Sequence, residues 1–303
     1  MYKKISQLGE IGLIERIGKV LKLDGSVIKG IGDDTAVIKY SKDKYLLFTC
    51  DMLIEGLHFL KKHNPKSIGH KALACNISDI ASMGGVPRYA VISLGLPRNL
   101  PLKYVDAIYR GLSDLARRFG INIVGGDTNR SDKIVIDIAL IGFVEKDHLV
   151  LRNTAKARDF IFVTGALGGS IRGRHLKFIP RLAEARALVE KFKVSSMIDL
   201  SDGLAQDLNR LTKESNIGAV IYEGLIPLHR EAKSIDEALY MGEDFELLFT
   251  MPPEQARLLL KNPYLGKTKV SWIGEVTDKR FGVRLINNKC RAQVLRQKGF
   301  RHF

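Results

Sequence analysis

The residues of this sequence best suited to do chemistry are aspartates set among small neighbours. Asp33 and Asp34 stand in Gly30-Ile-Gly-Asp-Asp-Thr-Ala36, Asp51 in Thr49-Cys-Asp, and Asp79 in Asn76-Ile-Ser-Asp. Asp127 follows in Gly125-Gly-Asp-Thr128, then Asp199 and Asp202 in Ile198-Asp-Leu-Ser-Asp-Gly203. Carboxylates gathered in one place repel, and burial makes their ionised forms still less favourable, so some would have to hold protons. A divalent cation removes the conflict. Oxygen-only donors select a hard ion, Mg²⁺ above all, which carboxylates commonly hold together with substrate phosphates. The chemistry so implied is phosphate handling.

Each motif also has a plainer reading. Gly and Asp dominate turns, so Gly30-Ile-Gly-Asp-Asp is equally a turn. Gly125 and Gly126 serve a left-handed backbone as well as they serve close approach to a phosphate. Asp202, ahead of Gly203 and a helix, is equally an N-cap; in an extended segment it points away from Asp199, and only a turn unites the two. Asp79 falls inside a predicted helix among Ile77, Ile80 and Ala81, where a polar strip needs the satisfaction a cation supplies. His58, in Gly56-Leu-His-Phe59, has no Cys or His partner nearby, which argues against zinc.

The elements that must position these residues follow from periodicity. Helical spacing marks 5–22, 68–83 and 101–119. The last is the clearest, with Val105, Ile108, Leu112, Leu115 and Phe119 on one face and Gly120 just past its end. Strands are expected over 37–51 (two, around a turn at 42–44), 89–96, 121–124 and 133–144, with Gly125-Gly-Asp127 at a strand tip. A polar boundary lies near 145–152. Beyond it come a strand at 159–164, a glycine loop at 165–170, a helix at 178–192, a strand at 197–200 and a helix opening at Leu204. Further strands at 219–222, 245–250, 270–273 and 282–286, with a helix at 253–260, complete a second α+β half. The expectation is two domains, 1–148 and 149–303, with no short repeat.

Composition bounds the function classes. At 303 residues, 45% hydrophobic and 27% charged, the chain is long enough for two ordinary domains with substantial cores. The net charge of +15 suits anionic partners. Its Lys and Arg are dispersed, and no nucleic-acid-binding signature occurs, so phosphorylated small molecules are favoured over nucleic acid. Cys50, Cys75 and Cys290 form neither a zinc motif nor a disulfide framework, and free thiols suit a reducing cytoplasm. The apolar stretch 134–144 carries Asp137 and is too short to span a bilayer. No membrane role is expected, and the localisation expected is cytoplasmic. Gly165-Ala-Leu-Gly-Gly-Ser170 is neither a dinucleotide fingerprint nor a P-loop, and protein-kinase signatures are absent.

Taken in order, Gly30-Ile-Gly-Asp-Asp34, Thr49-Cys-Asp51, Gly56-Leu-His-Phe59, Asn76-Ile-Ser-Asp-Ile-Ala-Ser-Met-Gly84 and Val124-Gly-Gly-Asp-Thr128 resemble the thiamine-monophosphate kinase family. Asp199-Leu-Ser-Asp-Gly203, Gly242-Glu-Asp-Phe-Glu-Leu247 and Gly299-Phe-Arg-His-Phe303 continue the resemblance, which spans essentially the whole chain. It implies ATP-dependent phosphorylation of thiamine monophosphate to thiamine diphosphate with several Mg²⁺ ions. It also implies the fold of aminoimidazole-ribonucleotide synthetase and selenophosphate synthetase (PurM-like). There an N-terminal α+β domain joins its sheet to that of a homodimer partner, and a C-terminal α+β domain follows.

Carried over by position, Asp33, Thr49, Cys50 through its backbone, Asp51, Asp79, Asp127, Asp199 and Asp202 resemble metal ligands. Gly126, Arg152 and Ser201 resemble nucleotide contacts, and His58, Glu243, Phe300 and Phe303 contacts to the thiamine phosphate. No side chain is expected to take a covalent or acid–base role, because phosphoryl transfer asks chiefly for positioning and charge neutralisation. Arg130, Arg152 and Arg181 offer guanidinium forks matched to phosphate, although Arg130 and Arg181 suit an exposed basic face equally well. Three departures stand out: Gly169 where the family carries Asp, a short segment between Ser170 and His175, and Met241 in place of Gly. The rival expectations are a superfamily enzyme with another acceptor and a non-catalytic anion-binding protein.

Overall fold

The computed structural model describes residues 4–299, so Phe300 and Phe303 lie outside the described residues. A 3-10 turn at Ile5–Gln7 leads into helix α1 (Gly9–Gly18). The single helix expected over 5–22 is therefore broken at its start, where Gly9 takes a φ of 65°. Strands β1 (Val27–Lys29), β2 (Ala36–Lys39) and β3 (Lys44–Ile54) precede helix α2 (Pro65–Ser82). Then follow β4 (Val86–Leu96), helix α3 (Leu102–Phe119), β5 (Asn122–Arg130) and β6 (Val135–Glu145).

The six strands form one sheet in the order β1-β2-β3-β6-β4-β5, antiparallel except for the β4–β5 pair. Along β6, Ile136, Ile138, Leu140 and Val144 turn inward in strict alternation, and α2 and α3 cover that face. Asn64 caps α2 by accepting the Lys66 N–H, with Pro65 in the first turn. Unlike α3, α2 is buried nearly all round, which places it inside the molecule.

β5 overturns one expectation. The strand does not end at Val124 but runs through Gly125, Gly126 and Asp127 to Arg130. A Cβ on Gly126 would sit 1.8 Å from the Ile92 carbonyl oxygen. Close strand approach, rather than a turn or phosphate loop, is what requires glycine there.

The second half opens with β7 (Phe160–Thr164), followed by helix α4 (Leu182–Lys191), β8 (Ser196–Asp199), helix α5 (Leu204–Ser215) and β9 (Gly218–Tyr222). Helix α6 (Ile235–Tyr240), β10 (Leu247–Met251), helix α7 (Pro253–Lys261), β11 (Tyr264–Leu265), β12 (Thr268–Thr277), β13 (Val283–Ile286) and β14 (Ala292–Val294) complete it. The main sheet runs β14-β13-β9-β12-β7-β10-β8, with β11 paired to β12. All five residues of β10 are buried, because α5 and α6 pack on one face of this sheet and α4 and α7 on the other. The short segment after Ser170 is crossed by 3-10 turns at Ser170–Arg172 and Arg174–Leu176.

Helix α2 belongs to both halves. Ile68, Leu73, Ile77 and Ile80 join the core beneath the first sheet, which also takes in Phe178 and Phe245 of the second half. Ala81 joins the core beneath α4 and β10. A polar stripe on α2 is thereby held at the seam between two α+β layers.

Candidate active site

Three carboxylates meet at that seam. Ligand oxygens of Asp34 (β1–β2 loop), Asp79 (α2) and Asp199 (end of β8) all lie within 4.8 Å of one another. α2 organises them through side chains three or four residues apart, which share one helix face. Thr49 on β3 donates to Asp79 at 2.6 Å, and Ser78 donates to Asp199 at 2.6 Å. The Ser82 hydroxyl sits 2.7 Å from both Asp34 Oδ2 and the Asp79 carbonyl.

The cluster is electrostatically strained. Burial, then Asp51, Asp199 and Asp34, push the Asp79 carboxyl well above its usual range. Burial, then Asp34, do the same to Asp199. Asp33 is pushed up to about 7 by burial and Asp34, and Asp51 to about 6 by burial, Asp34, Asp137 and Asp202. Arg152 relieves part of this: its guanidinium pairs with Asp34, its Nε lies 3.8 Å from Asp33, and its backbone N–H donates to Asp33 at 3.1 Å. The Arg152 Nε nevertheless remains buried without a hydrogen-bond partner.

Beside the cluster lies a cavity of about 450 Å³ lined by Asp51, His58, Lys71, Ser201, Asp202, Arg210 and Glu243 among others. The structure thus brings Asp51, His58, Ser201, Asp202 and Glu243 together. A second cavity, of about 480 Å³, has Asp33 and Arg152 in its wall and shares Arg210 with the first.

Asp202 does not cap α5. That helix has Gly203 at its N-cap, and the backbone N–H groups of Asp202 and Gly203 donate instead to Asp207 at 3.0 and 3.1 Å. Asp202 is left facing Arg210 at 2.5 Å.

Other expected residues are placed elsewhere. Directly paired residues share a face of a sheet, and the register Met52–Asp137–Ser93–Asp127 puts Asp127 on the outer face, away from α2. There it accepts from the Thr128 N–H and the Asn129 amide. Gly126 is exposed beside it. The Cys50 thiol, which is not the backbone group expected to act, points outward and donates to Asp137 at 3.2 Å; burial and that carboxylate push its pKa up to about 12. Arg181 is no phosphate clamp: its fork holds Glu246 with two contacts of 2.6 Å and also reaches Thr268. Arg130 is exposed at the end of β5.

Sequence reasoning passed over Asp34 as the clustered member of its pair, along with Lys71, Ser78, Ser82, Asp207 and Arg210. The signal for the α2 residues was present, since 71, 78 and 82 recur at helical spacing with Asp79 in an otherwise apolar helix.

Two α+β domains with carboxylates and a polar cavity at their junction point to the AIR synthase related class. Residues 32–144 match the family described as AIR synthase related protein, N-terminal domain, and residues 140–286 its C-terminal domain. The thiamine-monophosphate kinase of Bacillus subtilis is 33% identical, covering 98% of this chain and 100% of the relative. That of Aquifex aeolicus is 36% identical, covering 99% and 100%. A solved structure described as AaThiL complexed with AMPPCP and TMP superimposes with a TM-score of 0.87 at 33% identity, covering all of both chains. The chain belongs to the thiamine-monophosphate kinase family.

Proposed function

We propose that this chain transfers the γ-phosphoryl group of ATP to thiamine monophosphate, giving thiamine diphosphate and ADP. The observation that carries the reading is the meeting of Asp34, Asp79 and Asp199 beside a cavity lined by His58 and Glu243. The relative bound to AMPPCP and TMP supports the same substrate pair.

The residues at the cluster fit Mg²⁺. Every donor is an oxygen, and the raised carboxyl pKa values mark negative charge that the single guanidinium of Arg152 leaves uncompensated. Asp33, Thr49, the Cys50 backbone, Asp51, Asp79, Asp199 and Asp202 would hold the ions, joined by Asp34. Bound there, Mg²⁺ supplies neutralisation of phosphate charge. Arg152 and Ser201 are assigned to the nucleotide, and His58, Glu243, Phe300 and Phe303 to the acceptor. Asp127 stands on the outer face and Gly126 is exposed next to it on β5, and their assignment to metal and nucleotide rests on family likeness alone.

An acceptor phosphate oxygen attacks the γ-phosphorus in line as the bond to the β,γ-bridging oxygen breaks. The second pKa of a phosphate monoester is about 6, so the nucleophile is already ionised near neutrality and needs no side-chain base.

The active unit is read as a homodimer. The outer face of the first sheet exposes Phe48, Met52, Tyr89, Val91 and Val124, with Met52 52% and Val124 62% accessible, and such a patch suits a second copy. Domains divided at 148/149 are supported by the two sheets, which share no strand. No helix among the described residues is long and apolar enough to cross a membrane; the cytoplasm is the compartment inferred from the free thiols.

The test is incubation of the protein with ATP, Mg²⁺ and thiamine monophosphate, reading thiamine diphosphate by mass. A product formed only with a different phosphorylated acceptor would replace this reading with that of a sister enzyme.

A further inference from the structure

Lys71 is among the largest fully buried side chains of the protein and is 1% exposed. Its ammonium reaches Glu243 Oε1 at 2.6 Å, Glu243 Oε2 at 2.7 Å and the His58 carbonyl oxygen at 2.8 Å. A buried lysine persists only where its charge and donors are matched, and these contacts match them.

The two partners come from opposite halves of the fold. His58 belongs to the turn after β3, where the Ile54 N–H donates to its Nδ1 at 2.9 Å and so fixes the ring. Glu243 lies between α6 and β10, with φ values of 59° at Glu243 and 49° at Phe245. Non-glycine residues in this left-handed region are strained and persist only when their surroundings over-determine them. Several ties hold this loop: Glu243 N–H to the Ser201 carbonyl at 2.7 Å, Phe245 N–H to the Leu200 carbonyl at 2.8 Å, the Asp244 carboxylate accepting from the Gly168 N–H and from Arg174, and the ammonium of Lys71 on Glu243. The Glu243 side chain remains 23% exposed toward the cavity.

We infer that Lys71 is a positioning residue for the acceptor, one ammonium that locks the His58 turn and the Glu243 loop into a single binding edge across the domain seam. The inference rests on the acceptor role proposed above for His58 and Glu243. Lys71 is almost wholly covered, so it acts through its two partners, and its removal falls on acceptor binding rather than on the nucleotide.

The test compares the wild type with Lys71→Met, Glu243→Gln and the double variant by thermal unfolding and steady-state kinetics. Misplacing binding groups by about 1 Å can cost up to about a hundredfold, so KM for thiamine monophosphate should rise about tenfold or more in Lys71→Met, beside a lowered melting temperature from the stranded Glu243 carboxylate. KM for ATP should stay within about twofold, since the nucleotide residues do not touch Lys71. The double variant removes both charges and restores the melting temperature, yet its acceptor KM should exceed that of Glu243→Gln alone, because the His58 turn has lost its tie. Equality of those two KM values, or an ATP effect as large as the acceptor effect, overturns the inference.

Wild-type protein that makes no thiamine diphosphate refutes the functional reading instead. A crystal structure of the double variant then judges Lys71 by itself. Displacement of the turn at 55–59 and the loop at 241–245 by about 1 Å, enough to matter for productive geometry, supports it, and unchanged loops refute it.

Discussion

Asp79→Asn separates a carboxylate kept for an ion from one kept for the fold. Asparagine preserves the shape and an oxygen that can accept from Thr49, now 2.6 Å away. It deletes a charge that burial, Asp51, Asp199 and Asp34 all disfavour. Metal-free Asp79→Asn should therefore melt at or above the parent temperature. With Mg²⁺ the order reverses. An ion present at a hundred times its dissociation constant stabilises the parent by about 2.7 kcal/mol. At about 2–4 °C per kcal/mol that is a rise of roughly 5–11 °C per bound ion. The variant should lose that increment. Residues that merely support a metal ligand change affinity or activity about 10–100-fold when removed, so loss of a ligand itself should cost turnover no less. Scanning calorimetry with and without Mg²⁺, beside mass detection of thiamine diphosphate, reads both effects. A variant with the full Mg²⁺ shift and near-parental turnover would refute the reasoning. So would metal-free protein destabilised by more than about 2 kcal/mol, the mark of a structural hydrogen bond.

Three further outcomes are expected. Asp33 and Asp51, raised to about 7 and about 6, bind more protons folded than unfolded, so metal-free stability should fall as pH rises from about 4 through 7. Mg²⁺ binding should then release protons at pH 6 and fewer at pH 8, measurable by titration calorimetry in buffers of different ionisation enthalpy; no release at pH 6 contradicts the shifts. Arg181→Met strands the buried Glu246 carboxylate and should cost about 3–5 kcal/mol in urea unfolding, partly recovered in Arg181→Met/Glu246→Gln; a tenfold rise in ATP KM at unchanged stability would restore the phosphate-clamp role. Val124→Glu, on the outer face of the first sheet, should shift sedimentation from dimer to monomer, and a parent that already sediments as a monomer removes the interface.

Much of the scaffold was legible because periodicity reports burial. The helix expected over 101–119 is α3 at Leu102–Phe119, closed by left-handed Gly120, since its apolar face and terminal glycine are both local signals. The end of β5 was misplaced at Val124 because a glycine required by a neighbouring strand, as Gly126 is, looks in one dimension like a glycine required by a turn. At the site, aspartates drew attention by type, and Asp79 and Asp199 do converge. Asp34 was no more visible than Asp33, since adjacent residues with the same chemistry are told apart only by where the loop turns. Lys71 and Glu243 are 172 residues apart, and Arg181 found its carboxylate in Glu246. Such pairings depend on tertiary approach, which no local pattern encodes.

Helix α2 packs against both cores and holds side chains from each. Neither half alone therefore assembles the carboxylate cluster or the Lys71–Glu243 pair. Splitting the polypeptide in its middle would leave Lys71 and Ser78 in one fragment without Glu243 and Asp199 from the other, so any recovery of catalysis would require reunion of the pieces. Substitutions on α2 are therefore felt by two cores at once, whereas the turn at 55–59 and the loop at 241–245 face the cavity from one side each.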